Sequence, residues 1–213
     1  MSGAGPEIVF EGPHGRTDFA TFVARARRAQ PGGAVRLQRI DGLLVTTVAV
    51  LEGSGLIGEG AVLGMRIVPV AEGSPIDVVV SFASVADRLA RPGATALSVP
   101  PMTVQASWAG LSPPRTGWEP VGSIAGEDVD RIATQGISDV AAGTPEGGAG
   151  GPAVDALRKR VWGAMSDTAP PIVAGLAFGA HLLGFAGAGV PATLAANGRW
   201  TRLTTPRGHV LAH

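Results

Sequence analysis

Residues 53–58 (GSGLIG) form the motif in this sequence whose residue types and spacing come nearest to a known chemistry. The spacing is that of G-x-G-x-x-G, with which a strand-to-helix loop approaches the phosphates of a dinucleotide. The next predicted strand starts at Met65, which leaves too few residues for the crossover of about a dozen that such a fold needs. We therefore interpret the motif as a loop whose glycines permit tight turns.

Other catalytic sequence motifs are also absent. The single lysine, Lys159, does not follow a glycine motif, so a Walker loop cannot form. The four histidines are scattered without an acidic partner at a diagnostic spacing. Cysteine is absent, which excludes a thiolate nucleophile or a cysteine-ligated metal. We assign no catalytic, cofactor-binding or metal-binding residue and no cofactor, and an enzyme is not favoured.

Three acidic residues, Glu127, Asp128 and Asp130, lie close enough together in the sequence to suggest a metal site. They also fall in the first turn of a helix predicted over residues 127–142. Carboxylates stabilise a helix N-terminus without any metal, and no histidine is near. The helix interpretation is preferred.

His181 lies in the middle of an apolar helix predicted over residues 172–186. A buried imidazole must find a hydrogen-bond partner or lower its pKa, so a ligand or proton-handling role is one alternative. A core histidine with a satisfied partner is the preferred interpretation.

The same region raises the question of a membrane, because residues 168–198 contain no Asp, Glu, Lys or Arg. Prolines restrict the helix to about 15 residues, which is short for a span of about 20. We predict a buried helix and no membrane partner. The N-terminus lacks the basic and apolar segments of a secretory signal, which favours the cytoplasm.

Charge divides unevenly along the chain, although the formal net charge is zero. Residues 152–213 hold six Arg and Lys against two Asp. Residues 191–197 favour a short helix that ends at Gly198, although Asn197-Gly198 could equally turn a hairpin, and we choose the helix. Three helices, this short helix and a basic hairpin resemble a winged helix in outline. Its wing would place three arginines and a histidine for contact with phosphate or a partner: Arg199, Arg202, Arg207 and His209. Base-reading side chains are lacking on these helices, so nucleic acid is open but not favoured.

Two further surfaces are candidates for contact. Arg25, Arg27 and Arg28 make one side of a predicted helix over 17–30 basic, and we interpret this as a solvated outer face. Trp118 lies in a proline-stiffened segment that could contact a partner, although packing against a sheet is the simpler interpretation.

The predicted fold class is α+β. Asp41-Gly42 between two apolar runs predicts a type I′ hairpin in an N-terminal antiparallel or mixed sheet with helices. From residue 123 the pattern is helical, and it ends in a β-hairpin. We expect two portions, 1–121 and 122–213, which could also form one continuous domain.

Residues 107–115 (SWAGLSPPR), 117–120 (GWEP) and 198–211 (GRWTRLTTPRGHVL) resemble a group of uncharacterised actinobacterial proteins. That group has no assigned activity, so the resemblance implies a lineage and transfers no functional residue.

The functional prediction is a non-enzymatic binding or structural protein of the cytoplasm, acting as a homo-oligomer or with a protein partner. Two alternatives stay open. One is a DNA-binding regulator with a winged-helix-like C-terminal portion. The other is a small-molecule enzyme or ligand carrier with a pocket near His181.

Overall fold

The computed structural model describes residues 5–12, 14–55, 57–91, 96–144 and 151–213. The chain divides into two compact units. Unit 1 consists of Met1–Val50 and Met65–Leu111, and unit 2 of Leu51–Gly64 and Ser112–His213. The predicted division of the chain at residues 121 and 122 stays a prediction.

Unit 1 contains strands and two helices in mixed order, as the predicted fold class requires. In chain order its elements are β1 (Glu7–Val9), α1 (Gly15–Ala29), β2 (Ala34–Ile40), β3 (Leu43–Leu51), β4 (Val62–Pro69), β5 (Ile76–Ser81), α2 (Phe82–Leu89) and β6 (Ala96–Ser98). The main strands lie in the order β5-β2-β3-β4, and β1 pairs with β6 in a separate ribbon. Strand β2 pairs antiparallel with β3 on one side and with β5 on the other. This antiparallel pairing, together with the helices, confirms the α+β class.

The hairpin between β2 and β3 forms where it was predicted. Asp41 and Gly42 have φ angles of 49° and 72°, the two positive values that a type I′ turn requires. The turn sets the register of Ile40 opposite Leu43 and of Val35 opposite Val48. Ser107–Gly110 forms a short 3-10 helix.

From Ser112 on, unit 2 contains a strand, then three helices and then three strands. Its elements are β7 (Glu119–Ile124), α3 (Gly126–Gly143), α4 (Pro152–Gly163), α5 (Ala174–Leu183), β8 (Ala192–Asn197), β9 (Trp200–Thr205) and β10 (Gly208–Ala212). The strands lie in the order β10-β9-β8-β7. The predicted C-terminal hairpin is confirmed as β9 and β10.

The short helix predicted over residues 191–197 is wrong, because Ala192–Asn197 forms strand β8. Ala192 and Leu194 are buried while Thr193 between them is exposed, which is the alternation of a strand. Hydrogen bonding to β7 on one side and β9 on the other outweighs the helix propensity of alanine and leucine. Gly198, with a φ of 56°, turns the chain into β9.

Helix α5 forms the interior of unit 2. Seven of its ten residues are buried, and Gly184 in the left-handed conformation ends the helix. Trp162 of α4 stacks on Phe178 of α5 with ring centroids 4.1 Å apart. None of the described helices combines the length and the apolar sequence that crossing a membrane requires.

The order of strand, helix and three-stranded meander occurs in both units. Unit 1 has it as β1, α1, β2, β3 and β4, and unit 2 as β7, α3 to α5, β8, β9 and β10. Unit 2 has two additional helices, and its first strand β7 pairs with β8, whereas β1 pairs with β6.

Candidate functional site

Helix α1 of unit 1 has one apolar side and one basic side. Phe19, Phe22, Val23 and Ala26 are buried, and Phe10 packs on Phe19 with centroids 5.3 Å apart. This spacing of apolar residues is that of an amphipathic helix, whose other side faces solvent. The exposed side carries short residues followed by two exposed arginines in the last turn: Thr17, Thr21, Ala24, Arg27 and Arg28.

A groove of about 590 Å³ lies between α1 and α2. Its walls are mostly apolar, and two arginines stand among them: Ala20, Val23, Ala24, Arg27, Arg28, Pro31, Ala86 and Leu89. The Nη2 atom of Arg16 donates to the carbonyl oxygen of Leu89 at 2.8 Å, which joins the first turn of α1 to the last turn of α2. Ser81 caps the other end of α2 by accepting from the Ser84 N–H.

The electrostatics of this surface are positive. Helix α1 carries four arginines against one aspartate, Asp18, and Asp18 forms an ion pair with Arg66 of β4. In the described residues no carboxylate pairs with Arg25, Arg27 or Arg28. The groove is therefore suited to an anion that approaches along α1.

The acidic residues of α3 in unit 2 have partners within the protein. Glu127 accepts a hydrogen bond from the Gly189 N–H at 2.9 Å, and this bond lowers the pKa of Glu127. Asp128 pairs with Arg131, which also contacts Asp167. Within the described residues, no group of acids and histidines is arranged to hold a metal ion.

His181 is not a core residue. Its side chain is 42% exposed on α5, and its Nδ1 lies 2.9 Å from the Oδ1 atom of Asp130 on α3. The other sides of α5 are buried. The apolar sequence of this helix therefore did not mean that every one of its residues is buried.

Three other predicted contact residues lie on one face of the unit 2 sheet, which we call the outer face. Arg202 and Thr204 of β9 point to the side opposite the buried Leu203. The Trp118 ring lies over the Arg202 guanidinium at 4.4 Å. Thr204 Oγ1 and His209 Nδ1 are 2.9 Å apart.

The remaining two residues lie elsewhere. Arg199 is exposed in the turn before β9. Arg207 donates from Nη1 to the carbonyl oxygens of Gly184 and Ala186, so it stabilises the chain that leaves α5.

The chain is related to two families of protein domains. Residues 4–110 of the 213, half of the chain, match a domain of unknown function, DUF8010. The chain belongs to the DUF8010 family. In this DUF8010 protein residues 113–213 match a second domain of unknown function, DUF8185. No protein of curated function matches the chain.

The fold of the DUF8010 protein is similar to that of bacterial sliding clamps. A Caulobacter crescentus structure described as pol III beta has a TM-score of 0.57, 9% identity, and a match over 97% of this chain. A DNA polymerase sliding clamp from the same organism has a TM-score of 0.55 and 8% identity. The match covers 64% of each of those chains. At such identity the likeness concerns the fold.

This likeness contradicts the functional prediction from sequence. That prediction was an unspecified binding or structural protein, with a winged-helix regulator and a ligand carrier as alternatives, whereas the fold is clamp-like. The winged helix fails because residues 192–197 form a strand that pairs with β7 on one side and β9 on the other. The hypothesis of an enzyme or ligand carrier placed a pocket near His181, whose side chain is exposed and paired with Asp130.

Proposed function

We propose that this protein is a clamp-like subunit that self-associates and holds duplex DNA, with the groove between α1 and α2 at the DNA surface. Two observations support the proposal. The fold is similar to that of structures described as sliding clamps over 97% of the chain. Helix α1 also presents arginines that are not neutralised by carboxylates of the described residues.

The DNA contact is inferred from the composition of the exposed side of α1. Arg27 and Arg28 supply two cations for phosphate oxygens, and arginine is well suited to bind them. Thr17, Thr21 and Ala24 are short and allow a close approach. Contacts to phosphate oxygens carry no sequence information, which suits a protein that moves along DNA.

Self-association is supported by exposed apolar side chains at a different place in each unit. In unit 1, Met102 is 77% exposed and Val104 is 39% exposed, beside the strand β5 to which Val104 donates a backbone bond. In unit 2, Val121 on β7 is 49% exposed. A contact between two different surfaces is head-to-tail, and head-to-tail contacts close into rings when the rotation permits.

The DNA contact is tested by the affinity for a fluorescent duplex as a function of salt concentration. The wild type should bind with an affinity that falls steeply with salt. The double variant Arg27→Glu/Arg28→Glu should bind more weakly, and the slope of log K against log salt should fall by about 2.

The matched control for that experiment is Arg158→Glu/Arg160→Glu on α4, which makes the same change in charge at exposed positions of unit 2. It should retain most of the affinity. An equal loss in both variants would assign the effect to net charge, and no binding by the wild type at low salt would remove the proposal.

Self-association is tested by the molar mass in light scattering across a range of concentrations. The proposal predicts a mass that is a multiple of 21.4 kDa. Met102→Glu should shift the protein toward the monomer, and Ile57→Glu, at another exposed apolar residue, should not. A monomer at every concentration would contradict the self-associating part.

A further inference from the structure

Arg202 is held in an unusual position on the outer face of unit 2. Its guanidinium lies 4.4 Å from the centre of the Trp118 ring, within the range of a cation–π interaction. Trp118 is fixed in turn, because its Nε1–H donates to the Pro114 carbonyl oxygen at 2.9 Å. Asn197 of β8 holds the same segment by donating to the Thr116 carbonyl oxygen at 2.9 Å. The guanidinium therefore has a fixed plane.

The polar atoms of Arg202 lack the acceptors that comparable arginines have. Among the described residues, arginines with a buried Nε that has no partner include Arg16, Arg39, Arg88 and Arg202. The first three donate from a terminal nitrogen to a carbonyl oxygen. In the described part of the chain, Arg202 meets no such oxygen. A cation that is partly removed from water without an anion is costly.

The residues directly opposite Arg202 in the sheet are apolar. In the strand register it lies opposite Ala195 of β8 on one side and Leu211 of β10 on the other, and Leu211 is 2% exposed. Residues opposite one another in a sheet share a face. Burial accordingly lowers the pKa of the Arg202 guanidinium from its ordinary value.

We propose that Arg202, oriented by Trp118, is a binding site for a single carboxylate group. The terminal nitrogens of a guanidinium present parallel N–H bonds that match the two oxygens of a carboxylate. The flat aromatic ring below restricts the side chain before the ligand arrives, so less entropy is lost on binding.

The number of cations favours a carboxylate over phosphate. A phosphate monoester carries between about 1.5 and 2 negative charges at neutral pH, more than one arginine compensates in apolar surroundings. Nucleic acid is bound by grooves in which several cations follow the backbone. Arg202 instead lies in a row with Ala195 and Leu211. The proposal is independent of the DNA contact of α1, because it concerns another unit and another ligand.

The experiment follows the indole N–H of Trp118 and the Nε–H of Arg202 by nitrogen-edited NMR during titration. The Trp118 signal is assigned with Trp118→Phe. Three probes are used: acetate as a free carboxylate, the amide of acetyl-aspartate as a peptide side chain, and inorganic phosphate. Both carboxylates should shift the two signals in a saturable way, and phosphate should bind more weakly. The tighter of the two carboxylates identifies the source of the ligand.

Arg202→Gln should abolish the saturable shift of Trp118, and Arg202→Lys should weaken it, because an ammonium cannot form the parallel pair of bonds. Arg199→Gln, an exposed neighbour, should leave the titration unchanged. Unchanged backbone signals elsewhere in the spectrum establish that each variant is folded. Tighter binding of phosphate would overturn the ligand class. No saturable shift in the wild type, or the same shift in Arg202→Gln, would overturn the site.

Discussion

Arg16 of α1 donates a 2.8 Å hydrogen bond to the carbonyl oxygen of Leu89 at the end of α2. The bond satisfies one of the carbonyls that a helix leaves unpaired at its C-terminus, and it joins the two walls of the groove.

Arg16→Met should therefore lower the free energy of unfolding by about 1 kcal/mol, because it removes this bond while it keeps an apolar stem. Urea denaturation measures the change. Arg25→Met, on the same helix and also half-buried, should change the stability little. Equal effects of the two substitutions would count against a specific role for the bond.

Asp77 of β5 provides a test that depends on pH. Arg36 of β2 donates two bonds of 2.8 Å to its two carboxylate oxygens, which lowers the pKa of Asp77 from its ordinary value. The unfolded chain then holds this proton more tightly than the folded one. The stabilisation is complete above the unfolded pKa of about 3.9 and is lost as the pH falls through the folded value.

Asp77→Asn should accordingly destabilise the protein at neutral pH by no more than about 1 kcal/mol, since the aspartate is 53% exposed. The difference from wild type should vanish in denaturation experiments at pH values below the folded pKa. Asp87→Asn on α2 serves as the control, because among the described residues Asp87 has no ion pair. A pH-independent difference for Asp77→Asn would refute the electrostatic explanation.

The packing of α3 on α4 depends on Gly136. A Cβ atom there would lie 2.4 Å from the Cζ3 atom of Trp162, whereas one at Gly163 would meet nothing within 4 Å. Gly136→Ala should cost about 1–3 kcal/mol by overpacking. Gly163→Ala should be neutral or stabilise by up to about 1 kcal/mol. Thermal unfolding of both variants measures this, and similar melting temperatures would show that the close approach is absent.

The elements that the sequence predicted well are those with local physical causes. Asp41-Gly42 needs only its own backbone preference to make a hairpin, and the apolar stripe of α1 needs only helical periodicity. Strand β8 is different, because Ala192–Asn197 has the composition of a helix and becomes a strand by pairing with two neighbours.

The sequence revealed only part of the candidate site. Arg25, Arg27 and Arg28 stand out in the sequence, but a solvated face and a ligand-binding face have the same pattern. The net charge of a long segment also hides the site, because residues 1–151 carry more acidic than basic residues while helix α1 within them is basic. Trp118 and Arg202 are 84 positions apart, so no spacing rule could predict their contact.

Site-specific crosslinking can locate the DNA contact on helix α1, because the chain contains no cysteine and a single one can be introduced at any chosen position. Ala24→Cys on the exposed side of α1 and Thr193→Cys on the outer face of unit 2 would each carry a photoreactive group, in the presence of a duplex at low salt. If helix α1 contacts DNA, we expect protein–DNA crosslinks from position 24 and few from position 193. Equal yields from both positions, or none from position 24, would contradict it.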